Sequence, residues 1–356
     1  MKDMPKGNIN VLVVDDSAFM RKVISDILKS DPDITVIDTA KNGIEAIEKA
    51  KSLKPDVITL DVEMPVMDGL KCLKEILKTQ YIPVLMLSSL TKDGAEATIK
   101  ALENGAVDFI PKPTNIFEMT ADDIKRELVD KVKIARTIVK GKKESTKSRI
   151  VKPREEIVRS AEIKNIVAIG TSTGGPRALQ SVIPLIPGDI PAAVLIVQHM
   201  PPGFTRSLAE RLNSMSELNV KEAEDKEVVR AGYAYIAPGD YHMLVEKFDG
   251  VNLRIKLTQD PPLGGHRPAV NSMMDSLSET GLNNIIAVIM TGMGGDGSEG
   301  IKKLKTNNKS FIIAQDEKTC VVYGMPKVAV QTGMVDNVAP LDQIANEIKK
   351  FVGVYR

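Results

Sequence analysis

Residues 165–175 read NIVAIGTSTGG, an apolar run that breaks into glycines around a serine. Ile166, Val167, Ala168 and Ile169 suit a short parallel strand buried on both faces. Gly170-Thr171-Ser172-Thr173-Gly174 then matches G-x-S-x-G, and Pro176 stands where a helix can begin. Strand, sharp turn and helix start in that order lift a serine clear of a sheet. They also leave the N–H groups of the next helix turn beside it, donors suited to the negative oxygen of a tetrahedral intermediate. The same letters fit a plain glycine loop with a capping hydroxyl, so the reading depends on what else the chain brings to that rim.

Around this stretch, from Lys164 onward, the pattern is α/β. Strands are expected at 166–169, 193–197, 234–236, 285–290 and 311–314, and helices at 176–185, 205–213, 270–280, 300–305 and 341–351. Residues 242–257 include the alternating Leu253-Arg254-Ile255-Lys256-Leu257 and predict a β-hairpin turning at Asp249-Gly250. A serine nucleophile needs a base, and the chain has three histidines, His199, His242 and His266. His199 directly follows the apolar AAVLIVQ, which puts it at the same sheet rim as Ser172, and Pro201-Pro202 force a turn behind it. His242 enters the hairpin, and His266 lies in the loop PPLGGHRP, where substrate contact and simple capping are both open. Asp296 follows the strand IIAVIM inside TGMGGDG, again at a strand's carboxyl end, and suits the group that orients an imidazole. The chain order Ser, His, Asp differs from the α/β-hydrolase order, which argues against that fold but not against a triad.

A rival reading uses the same loop. Gly292-Met293-Gly294-Gly295-Asp296-Gly297 satisfies G-x-G-x-x-G between a strand and a helix, with Asp316 about 20 residues on, as a dinucleotide site expects. Against it, Asp296 would set a carboxylate beside the pyrophosphate, and the fingerprint leaves Ser172 and His199 unexplained.

The first part of the chain repeats a βα unit five times. Strands are expected at 9–14, 34–38, 57–60, 83–87 and 107–110, and helices at 17–30, 43–53, 69–79, 95–104 and 122–139, giving a doubly wound parallel sheet. Ligands of such sheets sit beyond the strands' carboxyl ends. There stand Asp15-Asp16, Asp61, Ser88-Ser89 and Lys112-Pro113. Carboxylates with room for waters suit Mg²⁺, and a lysine and a hydroxyl suit a phosphoryl group. Between the two parts, KGKKESTKSRIVKPREEIVRS is polar and broken by Pro153, and reads as a connector.

Composition narrows the function. The chain has 356 residues, enough for two domains; 48 Lys and Arg against 47 Asp and Glu leave a net charge of +1 and no global field for nucleic acid or anionic membrane. Tryptophan is absent and aromatics are 4%, which disfavours base-stacking platforms, and no compact basic helix-turn-helix supports a DNA-binding module in the second part. Cys72 and Cys320 have no metal or disulfide spacing. The start MKDMPKGNINVLVVDD has no signal-peptide apolar region and no run approaches spanning length, so a soluble, cytoplasmic protein is expected.

Residues 8–130 resemble the receiver domain of two-component response regulators through VLVVDDS, LDVEMPVMDG, LMLSSL and DFIPKP. The resemblance implies a flavodoxin-like fold, Asp61 as phosphoacceptor, and Mg²⁺ held by Asp15, Asp16, Asp61 and the backbone carbonyl of Glu63. It further implies Ser88 as switch hydroxyl, Phe109 as switch aromatic and Lys112 as phosphoryl-binding lysine. After a linker at 131–163, residues 164–356 resemble the catalytic domain of the chemotaxis protein-glutamate methylesterase (CheB) family. The resemblance rests on GTSTGGPRAL, QHMPPGFTRSLAERL, AYIAPGDYHM, GHRPAVNSM, TGMGGDGSEG and TCVVYGMPKVAV, in that order. It implies hydrolysis of γ-glutamyl methyl esters on methyl-accepting chemotaxis receptors, with deamidation of receptor glutamines as a second activity. Ser172, His199 and Asp296 are then nucleophile, base and orienting carboxylate, and the backbone N–H of Met293, with that of Thr173, is the oxyanion donor. The implied partners are the receptors and a chemotaxis histidine kinase, with no nucleic acid, no membrane insertion and no cofactor for the ester chemistry. An unphosphorylated receiver is implied to cover the catalytic cleft. Asn271 departs from the aspartate common in that family.

Overall fold

The computed structural model describes residues 8–112, 122–138, 163–249 and 252–354. Pro113, most of the expected connector (139–162) and Gly250 of the expected hairpin turn lie outside the described residues. The chain forms two compact units, Met1–Glu144 and Ser145–Arg356.

In the first unit, β1 (Ile9–Val14), β2 (Ile34–Ala40), β3 (Val57–Asp61), β4 (Val84–Ser88) and β5 (Asp108–Pro111) alternate with α1 (Ala18–Lys29), α2 (Gly43–Leu53), α3 (Gly69–Thr79) and α4 (Lys92–Glu103), followed by α5 (Asp122–Thr137). The sheet is parallel with order β2-β1-β3-β4-β5, the flavodoxin-like order, so its switch point lies between β1 and β3. Every residue of β3 and β4 is buried, as expected of strands covered by helices on both faces. Four helices start on side-chain caps: Ser17, Asn42, Asp68 and Thr91 each accept from a backbone N–H three residues on. The Thr91 cap explains why α4 starts at Lys92 rather than near 95. Gly94 lies inside this helix, packed so that a Cβ there would stand 2.7 Å from the Ser89 carbonyl oxygen. α5 continues to Thr137, past the boundary expected at residue 130.

The second unit is doubly wound and parallel. Its strands are β6 (Asn165–Thr171), β7 (Ala192–Gln198), β8 (Asn219–Glu222), β9 (Tyr233–Ile236), β12 (Ile285–Ile289), β13 (Ser310–Gln315) and β14 (Asn337–Ala339), in the order β14-β13-β12-β6-β7-β9-β8. Around them lie α6 (Gly175–Val182), α7 (Phe204–Met215), α8 (Val270–Ser278), α9 (Ser298–Asn307), α10 (Met325–Gln331) and α11 (Leu341–Val352). The expected hairpin is present as β10 (His242–Lys247) against β11 (Leu253–Thr258), and its Met243, Val245, Leu253 and Ile255 join the main core. From β6 the chain winds outward one way through β7, then returns to β12 on the other side. The switch point therefore falls at β6, flanked by β7 and β12. The helix expected at 176–185 ends as α6 at Val182 and gives way to a 3-10 turn at Ile183–Leu185, where Pro184 cannot supply the helical N–H. No described helix is long and apolar enough to cross a membrane.

The central strand tolerates α8 only because residue 170 has no side chain. A Cβ on Gly170 would meet Val270 Cγ1 at 2.4 Å and Cγ2 at 2.8 Å, and the β-branched Val270 has little freedom to yield. Gly170→Ala is expected to destabilise the second unit by about 1–3 kcal/mol through overpacking. A lower denaturant midpoint for that unit, with the first unit's transition unmoved, checks it.

Candidate active site and phosphoryl site

Three consecutive sheet positions deliver the candidate triad. Thr171 pairs in register with Gln198, so Ser172 and His199 are the first residues beyond the paired segments of β6 and β7. On the other side Ile289 pairs with Gly170, and Ser172 N–H donates to Thr291 O at 3.0 Å, which brings the loop after β12 alongside. Gly292 permits that approach: a Cβ there would lie 2.8 Å from Ser172 Cβ and 2.3 Å from Met325 Sδ. Gly174, at φ +74°, turns the chain into α6, whose second residue is Pro176.

Asp296 faces His199, with Oδ2 2.9 Å from Nε2, and the two side chains are only 7% and 8% exposed. The carboxylate also accepts the N–H of Val270 (2.6 Å to Oδ2), of Asn271 (2.9 Å to Oδ1) and of Gly297 (2.9 Å to Oδ1). Burial opposes the charge, but the His199 ring and the N–H groups of Asn271 and Val270 outweigh it and hold the Asp296 carboxyl below the usual carboxylate range. An ionised carboxylate only accepts, so Nε2 carries the ring proton on this side and leaves the lone pair of the neutral imidazole on Nδ1. His199 Nδ1 is buried and has no hydrogen-bond partner among the described residues. No hydrogen bond joins it to Ser172 Oγ.

The backbone N–H groups of Met293 and Thr173 donate to no acceptor among the described residues. Their positions are set from behind. Thr291 Oγ1 donates to Thr173 O at 2.9 Å and accepts from Val322 N–H at 3.0 Å, while Gly292 O accepts from Gly324 and Met325 N–H. Gln198, 2% exposed, donates one amide nitrogen to both Ser172 O (3.0 Å) and His199 O (3.1 Å), tying the two backbones together.

The other histidines separate cleanly. His242 is buried, with Nδ1 accepting from Ala269 N–H and Nε2 facing Pro261 O at 3.3 Å, so both nitrogens are engaged in bracing the start of α8. His266 stacks on His199, with ring centroids 3.9 Å apart and planes 11° from parallel. Sequence reasoning left its role open and missed Gln198, Thr291 and Asn271 as partners. The rule that flagged His199 and Asp296, position at a strand's carboxyl end, also covers Gln198 and Thr291. The dinucleotide reading finds its helix end occupied: Asn271 Oδ1 accepts from Gly297 N–H (3.0 Å) and Gly300 N–H (2.8 Å), where a pyrophosphate would need free donors. Asp316 is spent on its own loop, accepting from Thr319.

At the first unit's switch point, Asp15, Asp16 and Asp61 each offer an oxygen, all within 4.8 Å of one another. Asp15 and Asp61 are buried and share the Lys112 ammonium, with both Oδ2–Nζ distances 2.7 Å. Burial pushes the Asp61 carboxyl up to about 6, against the pull of Lys112. Burial likewise works against the Lys112 charge, but Asp61 and Asp15 outweigh it and hold the ammonium above its ordinary range. Asp61 Oδ1 accepts from Glu63 N–H at 3.2 Å. Ser88 is buried and donates to Gly94 O at 3.0 Å, and Phe109 is buried under Lys131, whose Nζ lies 5.5 Å from the ring centroid. An all-oxygen donor set with room on its exposed Asp16 side fits a hard divalent cation.

Two family models match the chain: CheB methylesterase over residues 167–348 and response regulator receiver domain over residues 11–122. A protein-glutamate methylesterase/protein-glutamine glutaminase of Halalkalibacterium halodurans is 49% identical over 344 residues, covering 96% of this chain and 98% of the relative. One of the same name from Pyrococcus horikoshii is 48% identical over 350 residues, covering 98% and 95%. The crystal structure of the Thermotoga maritima CheB methylesterase catalytic domain is similar with a TM-score of 0.51 and 46% identity, over 53% of this chain and 97% of that one.

With the Asp61 carboxyl near 6, protons compete with a divalent cation in a range where an ordinary aspartate is fully ionised. Only the ionised form binds metal, so the apparent Mg²⁺ affinity is expected to rise about tenfold from pH 5 to pH 7. Titration calorimetry checks this, and Asp61→Asn is expected to flatten the dependence.

Proposed function

The chain belongs to the CheB methylesterase family, with a response-regulator receiver ahead of the catalytic domain, and we propose from that premise that it demethylates chemotaxis receptors under phosphorylation control. The reaction is hydrolysis of γ-glutamyl methyl esters with release of methanol; deamidation of receptor glutamines follows the same route with ammonia as leaving group. The observation that carries the reading is the convergence of Ser172, His199 and Asp296 just beyond adjacent strand ends, with the buried Asp296 carboxylate bonded to His199 Nε2.

Ser172 Oγ attacks the ester carbonyl while its proton passes to His199 Nδ1, the nitrogen left free by the Asp296 bond. Asp296 stabilises the imidazolium without taking the proton. The N–H groups of Met293 and Thr173 receive the oxyanion. Collapse expels methoxide, which takes the proton from His199 and leaves as methanol. Water, deprotonated by His199, then splits the acyl-enzyme and frees the glutamate carboxylate and Ser172. No cofactor enters this sequence.

In the receiver, Asp61 accepts a phosphoryl group from a chemotaxis histidine kinase. Mg²⁺ would be held by Asp15, Asp16, Asp61 and the backbone carbonyl of Glu63, and supplies charge neutralisation for the phosphoryl oxygens. Lys112 pairs with those oxygens. Ser88 and Phe109 change position once the phosphoryl group draws the Ser88 hydroxyl away from Gly94 O. The protein works in the cytoplasm on the receptors' cytoplasmic segments.

Methanol release from methylated chemoreceptor membranes tests the reading. Ser172→Ala is expected to lower turnover by at least ~10³-fold, and near-normal turnover would end the triad assignment. A small phosphodonor with Mg²⁺ is expected to raise release in the intact chain and not in Asp61→Asn. Deleting residues 1–140 is expected to raise basal release. A truncated enzyme no faster than the unphosphorylated intact one contradicts restraint by the receiver.

A further inference from the structure

Helices α8 and α9 cap each other. Neither has a capping side chain of its own, since the residues preceding them are Ala269 and Gly297. Asp296, just before α9, accepts the first two N–H groups of α8, those of Val270 and Asn271. In return Asn271 Oδ1 takes the N–H of Gly300 at 2.8 Å, the bond an N-cap side chain makes to the third helical residue, and also that of Gly297 at 3.0 Å. Gly300 lets the helices come this close: a Cβ there would stand 2.6 Å from Met274 Cβ and 3.4 Å from Asn271 Oδ1.

The exchange has a consequence for the triad. The Asp296 carboxylate hangs from a glycine-rich loop in which Gly294 and Gly297 both adopt positive φ, a backbone with little stiffness of its own. Its residue 297 end is tied to α8 by the Asn271 oxygen and to α9 by Gly297 O, which accepts from Ile301 N–H at 3.0 Å. Resting on the assignment of Asp296 as the orienting carboxylate, we propose that Asn271 is a positioning residue of the esterase, its side-chain oxygen holding the loop so that Asp296 meets His199 Nε2. Asn271 touches neither His199 nor Ser172 by hydrogen bond and acts through Asp296 alone. An aspartate at 271 offers the same acceptor oxygen, whereas alanine offers none.

The test uses the full chain. Asn271→Ala is expected to lower kcat for methanol release about 10- to 100-fold with KM within about twofold, the scale of a small misplacement of a catalytic group. Asn271→Asp is expected to restore kcat to within about threefold of the parent. In an Asp296→Ala background, Asn271→Ala is expected to cost nothing more, because the group it positions is gone. Independently of turnover, the downfield proton resonance of the His199 Nε2–H to Asp296 bond is expected to broaden or move upfield in Asn271→Ala and to persist in Asn271→Asp. If Asn271→Ala does not fold, Asn271→Ser, whose oxygen is too short to reach Gly300 N–H, replaces it in every comparison. An unchanged kcat and resonance in the variant lacking the oxygen overturns the proposal. So does an undiminished cost in the Asp296→Ala background, or an Asn271→Asp as slow as the alanine variant. A parent enzyme that releases no methanol while showing the expected resonance changes would instead fault the esterase assignment and leave the positioning intact.

Discussion

A carboxylate removed from water is costly unless hydrogen-bond donors replace its hydration, and Asp296 shows how this fold meets that requirement. Its two oxygens receive three backbone N–H groups and the His199 ring, and three of those four donors come from the N-terminal ends of α8 and α9. Those ends carry partial positive charge, so the same backbone that satisfies the oxygens also favours their ionisation. An ionised Asp296 in turn dictates that His199 presents a proton to it from Nε2 and keeps its lone pair on Nδ1. The chemistry of the site follows from that arrangement.

The sheet topology explains why these groups meet at all. Strands β7, β6 and β12 are neighbours because the chain reverses direction of winding at β6, and a reversal opens a crevice beyond the strand ends. His199, Ser172 and the Asp296 loop come off those three strands in turn. The first unit repeats the device: Asp15 and Asp16 follow β1, Asp61 ends β3, and the reversal lies between them. Two different clusters of polar side chains thus occupy the same topological position in two parallel sheets. In both, a buried carboxylate accepts from a side-chain nitrogen at close range, Asp296 from His199 and Asp61 from Lys112.

What could be read from the sequence follows from where burial is strongest. The inner strands are unbroken apolar runs such as Ile285–Ile289, whose length and β-branching identify them without a neighbour's help. The edge strands β8, with sequence NVKE, and β14, with three residues, have one partner each and little apolar surface, so nothing local announces them. The seven-residue α10 is likewise too short for periodicity to show. The candidate triad was legible because a polar residue after a buried strand has a fixed address. Asn271 was not, since its partners Gly297 and Gly300 meet it only when α8 and α9 pack. Nor was the stacking of His266 on His199. It depends on a loop held by the Arg267–Asp240 ion pair and by Arg267 donating to the carbonyls of Gln259 and Asp260, contacts spread over 27 residues.

The central claim is that Asp296 and His199 together activate Ser172. Reaction with a small serine-directed phosphonate, followed by peptide mass spectrometry, addresses it directly. Labelling confined to Ser172, and strongly slowed in both His199→Ala and Asp296→Ala, is the predicted result. Labelling at other serines, or at Ser172 with a rate indifferent to His199 and Asp296, would contradict the account.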